Sequence, residues 1–196
     1  MPQEIVTIGA PVLRQAARPL SRQEILSPAI QTLINQMRET MNQAPGVGLA
    51  APQIGQSLQL AVIEDKAEYQ KAIDPVTLAE RERKPVRFHV IVNPVLTLES
   101  PSDLEFFEGC LSLPGFVALV PRSRKVRVDC LDHRGEPRTI HATGWYARIL
   151  QHEFDHLQGT VYVDRMHCRS LCSVDHYTNY WKDLAIANVK KNLSIS

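Results

Sequence analysis

Apolar residues recur along the chain with two periods, and each change of period marks out an element. From Ser21 the spacing is helical. Ser21 and Glu24 fit the reciprocal pair that opens a helix, and Leu26, Ile30, Leu33, Ile34, Met37 and Met41 then fall on one face. At residues 125–131 and 137–142 the period drops to two on either side of Asp132-His133-Arg134-Gly135-Glu136, which predicts a β-hairpin. Cys130 is in phase there with Val126 and Val128, so it is expected in the core. Shorter apolar runs at residues 58–63, 88–92 and 95–98 predict three more strands, the last two parted by Asn93-Pro94. The helical period then returns. With Thr143 as N-cap and Gly159 just past the end, Trp145, Ile149, His152 and His156 follow at spacings of four, three and four. That stripe runs from apolar residues into two histidines, as expected of a core helix whose histidine pair faces a buried site.

The segments between have weaker patterns. Residues 5–20 read as an extended, turn-rich arm. Residues 43–55 carry Gly46, Gly48, Gly55, Pro45 and Pro52, so neither helix nor strand is expected to run through them. Two readings fit this loop: an ordinary helix-to-strand turn, or a place where the glycines admit a substrate backbone and Gln53 offers an amide donor. Residues 64–85 are charged and weakly periodic, a surface excursion whose charge serves solubility. Residues 161–163 suggest a short strand, residues 171–189 are weakly helical, and residues 189–196 are expected to form a flexible tail.

Length and composition narrow the class. At 196 residues the chain is expected to form one domain, 1–196. A formal net charge of +1 gives no field that would gather DNA or an anionic membrane. No stretch is apolar over the length of a bilayer, and the first residues lack a basic region followed by an apolar one, so a cytoplasmic location is expected. Four cysteines are too few for a disulfide framework, and no soft ligands cluster near Cys168 and Cys172.

The chemistry gathers at Gln151-His152-Glu153-Phe154-Asp155-His156. Side chains four apart share a helix face, so His152 and His156 can grip one divalent ion while Glu153 reaches a water on it. A catalytic site of this kind takes three protein ligands and keeps one open position. A third histidine six residues after the second is excluded, because Tyr162 stands there. Cys110, in Glu108-Gly109-Cys110-Leu111-Ser112, is the alternative; read alone, it is better explained as a buried cysteine acting as a small hydrophobe.

Taken together, Gly46-Val47-Gly48-Leu49-Ala50-Ala51-Pro52-Gln53, the Cys110 segment and the His152 hexapeptide resemble, in order, the three signature motifs of the peptide deformylases. The resemblance implies an α+β fold of mainly antiparallel strands packed around a central metal-binding helix. It implies a divalent ion held by Cys110, His152 and His156, natively Fe2+, with Zn2+, Ni2+ or Co2+ able to substitute. The implied reaction removes the N-formyl group from formyl-methionyl nascent chains and releases formate, with a metal-bound water attacking the formyl carbon. Glu153 matches the general acid/base, and the Gln53 side chain and Leu111 backbone N–H match the oxyanion donors. Val47, Gly48, Glu108 and Gly109 match positions that hold substrate, and Trp145 one that lines the methionine pocket. A monomer or homodimer is expected, with a transient ribosome contact near Lys190 and Lys191. Trp145 resembles organellar members, so an organellar protein without its leader is the alternative to a bacterial one. The rivals in function are an endopeptidase of another metal-dependent family and a metal-binding protein without activity; Glu153 and Gln53 argue against the second.

Overall fold

The computed structural model describes residues 2–195; Met1 and Ser196, the ends of the expected 1–196 domain, lie outside the described residues. The helix expected as one element from Ser21 is two. In α1 (Arg22–Ile25) the Ser21–Glu24 pair forms as anticipated, but α2 (Pro28–Gln43) starts afresh, with the Ser27 side chain accepting from the Ile30 N–H. Pro28 has no N–H for a carbonyl four residues back and crowds it, so the chain breaks before it. Leu26, at the join, is 54% exposed, whereas Ile30, Ile34, Met37 and Met41 are buried.

Next comes a strand where only loop was expected, β1 (Gly48–Ala50), and then a 3-10 turn at Ala51–Ile54. Its small residues lie against β2 (Leu60–Asp65), with Gly48 opposite Ile63. Then come α3 (Ala67–Gln70), α4 (Pro75–Glu80) and β3 (Val86–Leu98). The two strands expected around Asn93-Pro94 are this single one, which absorbs the pair as a bulge between Val92 and Val95. Asn93 has φ 50°, and its amide exchanges two hydrogen bonds with the Leu20 backbone, at 2.9 and 2.7 Å.

Two strands without a sequence signal follow, β4 (Leu104–Cys110) and β5 (Leu113–Arg122), and then the expected hairpin of β6 (Lys125–Leu131) and β7 (Pro137–Thr143). α5 (Gly144–Leu157) is the histidine-bearing helix. Residues 161–163, expected as strand, lead into a 3-10 turn at Tyr162–Asp164, because the Asp164 carboxylate takes the Val161 N–H that a ladder would need. After β8 (Cys172–Ser173) and α6 (Val174–His176), a π-helical turn at Tyr177–Trp181 precedes α7 (Ile186–Leu193). The end expected to be flexible is therefore helical to Leu193, with Val189 wholly buried against Phe107 and Leu119.

The strands form two antiparallel sheets, in the order β1-β2-β3-β6-β7 and β4-β5-β8. Successive residues of β2 point to opposite faces. Leu60 and Val62 pack with α2 on one side, and Ala61 and Ile63 pack with Ala147, Leu150 and Leu157 of α5 on the other. The architecture is the α+β one expected, and α5 lies against the first sheet with its histidines turned towards β4.

Residues 64–85 do more than solubilise. Asp65, 1% exposed, takes both Arg83 Nε and Arg83 Nη2, at 2.8 and 2.9 Å. The Arg81 carbonyl accepts the Trp145 N–H at 2.8 Å, satisfying one of the donors that the first turn of α5 leaves unpaired. Thr143, the expected N-cap, makes no such side-chain bond. Gly144 has φ 57°, and a Cβ there would meet the Arg81 oxygen at 2.6 Å, so the junction requires glycine.

Candidate active site

Cys110 is the last residue of β4, at a register shift that turns it out of the ladder: Gly109 pairs with Val117, but Cys110 pairs with Leu113. Its sulfur, one ring nitrogen of His152 and one of His156 all lie within 4.8 Å of one another. Cys110 Sγ is 3.2 Å from His156 Nε2, 3.4 Å from the Ser112 N–H and 3.5 Å from Gln53 Nε2. His156 Nδ1 and Glu153 Oε2 are buried and have no hydrogen-bond partner. One thiol and two imidazoles at this separation match the donor set and size of a four-coordinate divalent site with one open position.

A buried polar lattice holds these groups. Both Glu108 oxygens are taken: Arg122 bonds them bidentately at 2.9 and 3.0 Å, Arg148 Nη1 adds a bond of 2.6 Å, and His152 Nδ1 sits at 3.1 Å. The Glu108 carboxylate, matched in sequence to substrate binding, is thus fully engaged in orienting His152. Arg122 also bonds Asp155 at 2.5 Å, and Asp155 accepts a second, bidentate arginine, Arg165. Arg122 and Arg148 lie outside the three motifs, and Ser112 and Asp155, though inside them, were given no role, since a charged residue on a helix or strand looks like part of a solvated face. The one sequence signal was positional: Arg148 and Asp155 share a helix with the two histidines.

Protonation follows from this packing. Burial alone would raise the Glu108 carboxyl, but Arg122, His152 and Arg148 together hold it well below the carboxylate range. Burial opposes charge on His152, yet Cys110 and Glu108 outweigh it and hold the ring protonated well above an ordinary histidine. Burial, aided by His152 and Arg122, keeps His156 neutral, the form that binds metal. Burial pushes the Glu153 carboxyl up to about 7.

Cys110, Glu108, Arg148, His152 and Glu153 line one cavity of about 640 Å³. The candidates from all three motifs meet there: Val47, Gly48 and Gln53; Glu108, Gly109, Cys110 and Leu111; His152 and Glu153, with Trp145 beside them. His156 is the ligand set behind the wall, 1% exposed. Gln53 is oriented by the Ala50 N–H, which donates to its Oε1 at 2.9 Å, and its Nε2 is thereby turned towards Ser112 and Cys110. Trp145 is held between the guanidinium groups of Arg81 and Arg83, 5.0 and 5.2 Å from the ring. Cys168 is exposed on a 3-10 turn and Cys172 lies on β8.

Comparison with known proteins agrees with this geometry. A sequence model described as polypeptide deformylase matches residues 2–170. Peptide deformylase 1A of Arabidopsis thaliana, chloroplastic/mitochondrial, is 47% identical over 88% of the chain, and its tomato counterpart, from the chloroplast, 44% over the same share. The chain spans less than two thirds of these plant relatives, 64% and 62% of their lengths. A class I type b peptide deformylase from Acinetobacter baumannii, solved with Met-Ala-Ser bound, superposes with a TM-score of 0.74 at 30% identity, over 85% of this chain and 99% of that one. The chain belongs to the polypeptide deformylase family.

Proposed function

We propose that the protein is a metal-dependent hydrolase that removes the N-formyl group from the formyl-methionine of nascent polypeptides and releases formate. The observation that carries this reading is the meeting of Cys110, His152 and His156 within 4.8 Å, with Cys110, His152 and Glu153, whose buried Oε2 has no hydrogen-bond partner, on the wall of one cavity. Cys110 Sγ and the two imidazoles would hold the ion, natively Fe2+, with Zn2+, Ni2+ or Co2+ able to replace it. Once bound, the ion supplies Lewis acidity towards the formyl oxygen and towards water. Displacing the His152 proton makes its binding weaken in acid.

The chain's own groups supply the rest. Glu153, with its carboxyl near 7, can accept a proton from water and return it to the departing amine at neutral pH. The Gln53 Nε2 and the Leu111 backbone N–H are the donors for the oxyanion, each worth about a hundred- to a thousand-fold in rate. The backbones at Val47, Gly48 and Gly109 border the reacting centre and are suited to fixing an extended peptide between β1 and β4. Trp145 and Ile149 give an apolar wall for the methionine side chain. A structural metal site would need neither a buried, free carboxyl nor an oriented amide.

Of the residues expected at a ribosome contact, Lys190 is already committed, its ammonium 3.0 Å from Glu105, and Lys191 is exposed. The test of the main reading is formate release from formyl-Met-Ala-Ser by protein loaded anaerobically with Fe2+ or Ni2+, with Glu153→Ala alongside. Release by the wild type, and its loss in a variant that keeps its metal, is expected. No release by metal-loaded wild type refutes the reading.

A further inference from the structure

A second cavity, of about 380 Å³, lies apart from the active site and shares no lining residue with it. Neighbouring residues part the two: Arg83 and Trp145 line the active-site cavity, Lys84 and Tyr146 the second. One wall is the start of β3, with Arg87 and His89, and the other is β7, with Arg138 and His141. These strands are not neighbours in the sheet, since β6 stands between them, so no ladder closes the cleft.

The lining is cationic and not neutralised. Lys84, Arg87 and Arg138 are exposed, and among the described residues none of them makes an ion pair. Glu82, the acidic residue of the lining, is taken by Arg124, and His141 sits 3.8 Å from Glu99. Burial and the Arg138 charge push His89 below an ordinary histidine, so its ring is neutral. Its Nδ1 then donates to the Arg87 carbonyl at 2.9 Å, and its Nε2 accepts from the Tyr146 hydroxyl, also at 2.9 Å. The two rings meet edge to face, with centroids 5.7 Å apart. Like charges held around one concavity repel one another, and a multiply charged anion relieves that repulsion.

We propose that this cleft binds a nucleoside diphosphate, with its phosphates among Lys84, Arg87 and Arg138 and its base against His89 and Tyr146. Such a site goes beyond deformylase chemistry and does not depend on it. A volume of about 380 Å³ falls within the range of small-molecule sites, about 300–1,000 Å³, and inorganic phosphate would leave most of it empty. Guanidinium groups suit phosphate because their planar donors meet two oxygens at once. Aromatic rings beside cations are the usual surface on which a base stacks.

Isothermal titration of the metal-loaded protein with ADP, adenosine and inorganic phosphate tests the site. ADP is expected to bind once per chain, about tenfold or more tightly than either adenosine or phosphate, and less tightly as salt is raised. Arg87→Ala and Arg138→Ala are each expected to weaken ADP by about tenfold. Both side chains are exposed, so both variants should unfold at the wild-type temperature. Phosphate binding as tightly as ADP would reduce the cleft to a simple anion site and overturn the assignment. So would the absence of saturable ADP binding, ADP binding that neither variant moves, or binding confined to a short single-stranded RNA titrated alongside.

Discussion

Adding one methyl group at Gly48 tests whether the position of the Glu153 carboxyl matters. A Cβ built on Gly48 would lie 2.6 Å from Glu153 Cδ and 2.9 Å from its Cγ, with Oε1 closer still. Carbon atoms in contact settle at about 3.5–4.0 Å, so Gly48→Ala must push the carboxyl away by about 1 Å. β1 is paired with β2 along its length and wholly buried, so the backbone cannot yield instead. A displacement of that size costs about a hundredfold in rate when it falls on a catalytic group. The overpacking costs about 1–3 kcal/mol in stability. The three atoms that an added Cβ would meet first all belong to Glu153 and none to a metal ligand, so metal content per chain is expected to stay at the wild-type level. The assay is kcat/KM on formyl-Met-Ala-Ser, with metal analysis and thermal unfolding on the same preparation. Activity within threefold of wild type would refute the idea that this carboxyl has to be held where Gly48 leaves room for it.

Other perturbations reach different parts of the molecule. Glu108→Ala leaves Arg122 and Arg148 buried without their shared partner, and is expected to cost about 3–5 kcal/mol in denaturant unfolding and 10- to 100-fold in metal affinity; wild-type metal retention would show that His152 needs no second partner. Cys110→Ser is expected to abolish tight metal binding at neutral pH, read by metal analysis after dialysis. Burial tends to raise Asp164, but the Val161 N–H and Arg14 win and lower it. Its folded pKa is depressed, so its contribution is full above the unfolded value and disappears as pH falls through the folded one. The pair with Arg14 is half-exposed, so Asp164→Asn should cost under about 1 kcal/mol at pH 7 and nothing below the folded pKa, as read by urea midpoints across pH 2–7. Burial pushes the Cys130 thiol up to about 11, so at pH 8 iodoacetamide should label the exposed Cys168 and leave Cys130 unmodified by mass spectrometry.

The parts legible in sequence were those in which one face is apolar and the other wet. The β6–β7 hairpin and α2 have that pattern, and the α5 stripe keeps it up to the histidines. β4 and β5 do not. Their inward positions include Glu108 and Arg122, 6% and 3% exposed, which answer each other across the sheet, and an ion pair buried in this way leaves no alternation to read. His152 and His156 were legible as a pair because their spacing is fixed by helix geometry, whereas Cys110, on a strand, was reached only through the resemblance of its segment to a family motif. The residues that hold them were not legible, because Arg148 and Asp155 acquire meaning only from Glu108 and Arg122, which are remote in sequence. The break at Pro28 was a different kind of miss: the stripe of apolar residues continues through it, and the backbone rule that overrides the stripe lay in a single residue.

Backbone contacts of the N-terminal arm order the protein in time. Its Val6 N–H bonds the Gln53 carbonyl, its Ile8 N–H the Ser112 carbonyl, and its Ala17 N–H the Leu157 carbonyl at the end of α5. Gly159 lies so close to the arm that a Cβ there would meet the Arg14 backbone at 2.8 Å. Ala17 is therefore made 140 residues ahead of Leu157 (157 − 17), an interval of roughly ten seconds at 5–20 residues per second. A protein proposed to work on chains still being made cannot have a finished site of its own until α5 has been synthesised.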